Sequence, residues 1–115
     1  ISYTQFMAWK VLFYHTKRDE SPVEEFIRSL DATTYANVIH AIDILVIEGP
    51  FLRPPYMKKL LPGLYELRIK SQVAIRIFYS SKDKTYYLLH IFKKKTQKTP
   101  LKELKIAVDR MKEII

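Results

Sequence analysis

Period-two alternation dominates the second half of the chain. Tyr65, Leu67 and Ile69 alternate with Glu66, Arg68 and Lys70, and Val73, Ile75, Ile77 and Tyr79 alternate with Ala74, Arg76 and Phe78. Successive side chains of a strand point to opposite faces of a sheet. One face can therefore bury an apolar core while the other presents Glu66, Arg68 and Arg76. A third run, Tyr86 to Phe92, is apolar at both parities, as expected of a strand covered on both sides, and it ends in Lys93-Lys94-Lys95. Polar segments at Ser71-Gln72 and Ser80 to Lys84 separate the three runs. Trp9 to Tyr14 is rich in β-branched and aromatic residues and predicts an earlier strand.

Between these strands the period changes. Ser21-Pro22-Val23-Glu24 predicts a helix start, with Ser21 as cap, Pro22 in the first turn and Glu24 bonding back. Val23, Phe26, Ile27 and Leu30 then form its apolar face. A second helix restarts at Asp31 to Thr34, carries Tyr35, Val38, Ile39, Ile42, Leu45 and Val46 as its stripe, and stops at Gly49-Pro50. The two helices form a hairpin over one sheet face. Phe51 to Leu61 is the least regular segment, held extended by Pro54-Pro55 and Pro62. Thr99-Pro100 opens a last helix, with Leu101, Leu104, Val108, Met111 and Ile115 inward and Lys102, Lys105 and Lys112 outward. The order β-α-α-β-β-β-α predicts an α+β domain, with a helical hairpin and a C-terminal helix packed on a small antiparallel sheet.

Composition narrows the function. The 115 residues fit one domain, 1–115, with residues 1–8 a flexible or tag-derived start and Met7 a candidate natural start. With no cysteine, disulfides, cysteine zinc sites and thiol nucleophiles are excluded, and a cytoplasmic location is expected. His15, His40 and His90 are too scattered for metal-ligand spacing, and two glycines cannot make a phosphate-cradling loop. No metal and no cofactor is expected. No run reaches the roughly 18–20 apolar residues of a membrane span. The net charge of +8 is unevenly spread: residues 1–50 hold 4 Lys/Arg against 7 Asp/Glu, and residues 51–115 hold 16 against 5. A basic half points to a polyanion, most often nucleic acid, against the alternative of a lysine-rich solvated surface.

The segments Gly-Leu-Tyr-Glu-Leu-Arg, Arg-Ile-Phe-Tyr and Leu-Leu-His-Ile-Phe-Lys-Lys-Lys-Thr-Gln-Lys-Thr-Pro carry a resemblance. Over roughly residues 9–112 the chain resembles the phage-derived HigB-like branch of the RelE/ParE toxin superfamily. The resemblance implies the toxin of a type II toxin–antitoxin pair: a ribosome-dependent endoribonuclease that cuts translated mRNA and is held inactive by a cognate antitoxin protein. It places RNA-binding and cleaving residues on the sheet strands and just after the last one. By motif these are Arg68, Arg76, His90 and the cluster Lys93, Lys94 and Lys95. Several RelE-type toxins carry a tyrosine near the start of the last helix, where this chain reads Thr99-Pro100-Leu101.

Cutting RNA without a metal requires a deprotonated 2′-hydroxyl, neutralised phosphorane oxygens and a protonated leaving oxygen. Arg68 and Arg76 suit the second task, since a guanidinium matches two phosphate oxygens and stays charged. The alternative for Arg68 is an ion pair with Glu66 or another acid. Among Lys93, Lys94 and Lys95, mutual repulsion favours proton transfer by one, Lys94 first, or all three anchor phosphate. His90 is a conventional acid or base, or else a satisfied core residue. Glu66 either orients Arg68 or acts as base. Lys58 and Lys59 add RNA-binding charge, and Phe78, sharing the Arg76 face, is the candidate for stacking on a base. Two other functions fit the same residues: a ParE-like toxin that poisons gyrase, and a nucleic-acid-binding module without catalysis.

Overall fold

A computed structural model describes residues 9–114. Strand β1 is Lys10–Phe13, helix α1 is Pro22–Arg28 and helix α2 is Ala32–Glu48, followed by a 3-10 turn at Gly49–Phe51. Strands β2 (Met57–Leu61), β3 (Leu64–Ile69), β4 (Ile75–Lys82) and β5 (Thr85–Lys93) follow, and helix α3 (Leu101–Ile114) closes the described chain. The five strands form one sheet in the order β1-β5-β4-β3-β2. β2 to β5 pair antiparallel, and β1 lies parallel to β5. The architecture is the expected α+β, with one strand more than predicted and a mixed sheet.

The added strand is β2, inside the segment expected to be irregular. Pro54-Pro55 and Pro62 flank it, but Met57 to Leu61 is free of proline and long enough to pair with β3. Leu61 pairs with Leu64, so Pro62-Gly63 is a two-residue turn; Gly63 takes φ +80°, a region open to glycine. β4 also runs further than predicted. Ser80, Ser81 and Lys82 pair with Tyr87, Tyr86 and Thr85, and only Asp83-Lys84 turns, both at positive φ. That is the mirror-image turn that matches strand twist.

The helices depart from expectation at their ends. Ser21 makes no capping bond, and its buried hydroxyl has no partner among the described residues. At φ −119° and ψ 83° its backbone is off the extended geometry that aims a cap at the first-turn amides. Glu24 reaches Arg28 instead, at 3.0 Å. Asp31 does cap α2, accepting from the Thr34 amide at 3.1 Å. The inward stripe of α2 keeps the predicted Val38, Ile42 and Leu45, with Ile39 packed beside them, and adds Thr34; of the predicted stripe Tyr35 is exposed. Leu101, expected inward, is 81% exposed. Ile115 and residues 1–8 lie outside the described residues.

Both sheet faces are covered, unequally. The hairpin α1–α2 buries Val23, Ile27, Val38 and Leu45 against Leu67, Ile69, Ile75, Ile77, Tyr79, Leu88 and Ile91. On the opposite face α3 buries a smaller cluster of Leu64, Phe78, Leu89, Phe92 and Ala107. That face is apolar where Leu64, Phe78 and Leu89 lie under α3, and charged where β3 and β4 carry Glu66, Arg68 and Arg76.

Candidate functional site

The charged part of the α3 face is built by strand register. Arg68 stands directly opposite Arg76, and Glu66 opposite Phe78. Arg76 in turn faces Phe92, and Phe78 faces His90. Two rows therefore cross the sheet on one side: Arg68, Arg76, Phe92, and beside it Glu66, Phe78, His90. Like charges directly opposite each other repel. Glu66 relieves this, its Oε1 lying 3.0 Å from Arg68 Nε and 3.7 Å from Arg76 Nε. Its carboxylate is 1% exposed, whereas Arg76 is 16% and Arg68 32% exposed. One negative charge against two positive leaves the trio with an excess of +1. Among the described residues Glu66 Oε2 and Arg76 Nε find no hydrogen-bond partner. Arg76 also donates to the Ile75 carbonyl at 3.1 Å, which fixes its guanidinium over the sheet. Burial lowers the Arg76 pKa, Glu66 opposes that shift, and Arg68 adds to it.

His90 reaches this face through a bulge. Tyr86 and Leu88 face the hairpin, so straight alternation would turn His90 there too. Phe78 pairs with His90 and Tyr79 with Leu88, which leaves Leu89 as the extra residue. A bulge re-aims the side chains after it. Leu89 and His90 both turn toward α3, and the spare Leu89 carbonyl accepts Arg110 Nη1 at 2.8 Å. His90 becomes the diagonal neighbour of Arg76 across β4 and β5. Its Nε2 lies 3.1 Å from Glu103 Oε1 on α3, and its ring stacks on Phe92 at 5.8 Å. Burial pushes its pKa below the ordinary value, the Glu103 hydrogen bond and charge oppose that, and Arg110 adds to it.

The lysines divide between the faces. Lys58 pairs with Glu66 and shares its side, exposed at the sheet edge. Lys59 pairs with Tyr65 and Lys93 with Ile75, which puts both on the hairpin side. Lys93 lines a small cleft there with Phe26, Leu30 and Asp31. Both were expected at the RNA site, and the register takes them away from it. Lys94 continues the ladder, its amide donating to the Ala74 carbonyl at 2.8 Å, so alternation returns it to the Phe92 side. Lys95 is exposed beyond the strand. The expected convergence of all five cations thus reduces to Arg68, Arg76 and Lys94.

Phe78 is also corrected. It is on the predicted face but 0% exposed, packed edge-on to Phe92 at 5.1 Å, and offers no surface to a base. Tyr56 does. It is 60% exposed, and its carbonyl accepts the Arg68 amide at 2.9 Å, which extends the arginine row to the sheet edge. Glu103, Arg110 and Tyr56 were not among the expected site residues. Only the exposed aromatic beside a basic segment left a trace in the sequence, since the other two act across separate elements.

Among the described residues no three His, Asp or Glu side chains come together as metal ligands, and no helix is long and apolar enough to cross a membrane. A search of curated proteins finds no match. The family model described as "Phage derived protein Gp49-like" (DUF891) matches residues 25–112, from α1 to the last turns of α3. The chain belongs to this Gp49-like family, which is associated with RelE-like and toxin-like proteins.

Proposed function

We propose that this protein is the toxin of a type II toxin–antitoxin pair and cuts mRNA on the ribosome. The observation that carries the reading is the Arg68–Arg76 pair, held side by side with excess positive charge on a sheet face that also presents His90. Family membership supports the toxin class. A scissile phosphate laid across the arginine row would meet two guanidinium forks, which offset charge on the phosphorane oxygens. His90, kept neutral by burial, can take the 2′-hydroxyl proton. The 2′-oxygen then attacks phosphorus, the bond to the 5′-oxygen breaks, and that oxygen takes a proton, leaving a cyclic phosphate and a 5′-hydroxyl. Lys94 stands at the end of the row as an anchor or proton donor. Glu66 orients the arginines; its buried carboxylate is out of reach of a substrate hydroxyl. Tyr56 provides the exposed ring on which a splayed base can stack. An antitoxin that neutralises this face would be acidic where it meets it.

Mapping cellular RNA ends after induction tests the reading. New 5′-hydroxyl ends inside coding regions, absent with Arg76→Ala, are expected. Growth arrest without new ends would assign the toxicity to another target, gyrase among them.

A further inference from the structure

His90 is held by more than its own strand. Phe92 lies almost parallel to its ring, at an interplanar angle of 21°, and Phe78 packs against it at 57°. Glu103, in the first turn of α3, meets Nε2 at 3.1 Å, and both side chains are largely buried, at 14% and 18% exposure. The same helix is tied down again by Arg110, which bonds the Leu89 carbonyl and lies 4.8 Å over the Tyr14 ring, while the Tyr14 hydroxyl donates to Glu113 at 2.7 Å. Among the described residues the imidazole therefore has one nitrogen committed to α3 and one left over.

We propose that Glu103 is the positioning residue for His90. Its carboxylate accepts a hydrogen bond from Nε2–H, fixes that tautomer, and leaves the Nδ1 lone pair to take the proton of a ribose 2′-hydroxyl. This rests on the reading of the arginine face as an RNA-cleaving site. A neutral histidine carries its proton on one nitrogen only, and the partner of that nitrogen selects the tautomer. When Nδ1 gains the substrate proton, the imidazolium forms beside the Glu103 carboxylate, which stabilises it. The other charge acting on the ring is Arg110 from α3, which opposes protonation; Arg76, diagonal to His90 across β4 and β5, and Lys94, past the end of β5, are the further cations on this face. Among the described residues Glu103 is the one anion in contact with the ring.

The test uses two variants and two measurements. Two-bond ¹H–¹⁵N spectra of the imidazoles, titrated with pH, report the His90 tautomer and its midpoint. Single-turnover cleavage on programmed ribosomes reports the rate across the same pH range. Wild type should show the Nε2–H tautomer. Glu103→Gln keeps an acceptor oxygen, so the tautomer persists while the midpoint falls. Glu103→Ala should mix the tautomers, lower the midpoint further and slow cleavage by about 10- to 100-fold, part of what a general base supplies. The acid limb of the rate profile should move with the midpoint, and ribosome binding should not change. An Nδ1–H tautomer in wild type overturns the proposal. So does a Glu103→Ala protein whose rate and acid limb match wild type. If wild type cuts nothing, the RNA-cleaving reading falls, and the spectra still decide whether Glu103 sets the tautomer.

Discussion

The two faces of one sheet do different work. Under the hairpin, Leu67, Ile69, Ile75 and Ile77 are buried in an apolar layer that continues through Leu88 and Ile91. Under α3, burial is confined to a smaller apolar cluster, and the same strands carry Glu66, Arg68 and Arg76 beside it. Burying a carboxylate between two guanidiniums is a weak route to stability, because desolvation consumes much of the attraction. The hairpin face stabilises the domain and so permits an α3 face that is charged, half-open and strained in its hydrogen bonding.

Substitutions that hit one face alone should separate these roles. The largest effect is expected at the hairpin face: Ile77→Ala should cost about 2–5 kcal/mol of stability in chemical denaturation, while the fraction that stays folded keeps its cleavage rate. Arg76→Ala should do the reverse. Cleavage should fall by about 10²–10³-fold, the cost of removing one donor to a transition-state oxyanion, with a loss of stability smaller than that of Ile77→Ala because Arg68 stays paired with Glu66. Glu66→Gln sits between, because it leaves both arginines without their counter-charge; a loss of about 1–3 kcal/mol is expected by denaturation, together with slower cleavage.

Acid should act on the α3 face first. The folded pKa of His90 lies below its ordinary value, so the unfolded chain binds the proton more readily. As pH falls through the ordinary histidine range, this residue's contribution to stability declines, and the decline ends below the folded pKa. Cleavage that uses neutral His90 should persist lower, failing only as pH drops through the folded value. His90→Gln should remove that limb from the rate profile. The smallest effects separate neighbours on β2: Lys58→Ala should lower the salt slope of RNA binding by about one, and Lys59→Ala should leave it unchanged.

Much of this was legible in the sequence. Arg68 and Arg76 share a face because β3 and β4 alternate without interruption up to that point, so simple parity places them correctly. The hairpin core followed from the same parity and from the three-and-four spacing in α1. The rest depended on features without periodicity. His90 is turned by an extra residue at Leu89, and no pattern in Tyr86 to Phe92 marks a bulge. Alternation places Phe78 on the α3 face, but its burial depends on where α3 lands. β2 was hidden by the prolines around it, and with it the register that divides Lys58 from Lys59. Glu103 meets His90 from a different element, a contact that no local spacing announces.

The central claim is that the arginine row, and not the positive charge of the domain at large, cuts RNA. Single-turnover cleavage on programmed ribosomes by Arg76→Ala and by a Lys59→Ala/Lys93→Ala double variant tests it most directly, because each removes cations from one face only. The account predicts a rate at least about 100-fold down for Arg76→Ala and a wild-type rate for the double variant. Equal losses in the two, or full activity in Arg76→Ala, would contradict it.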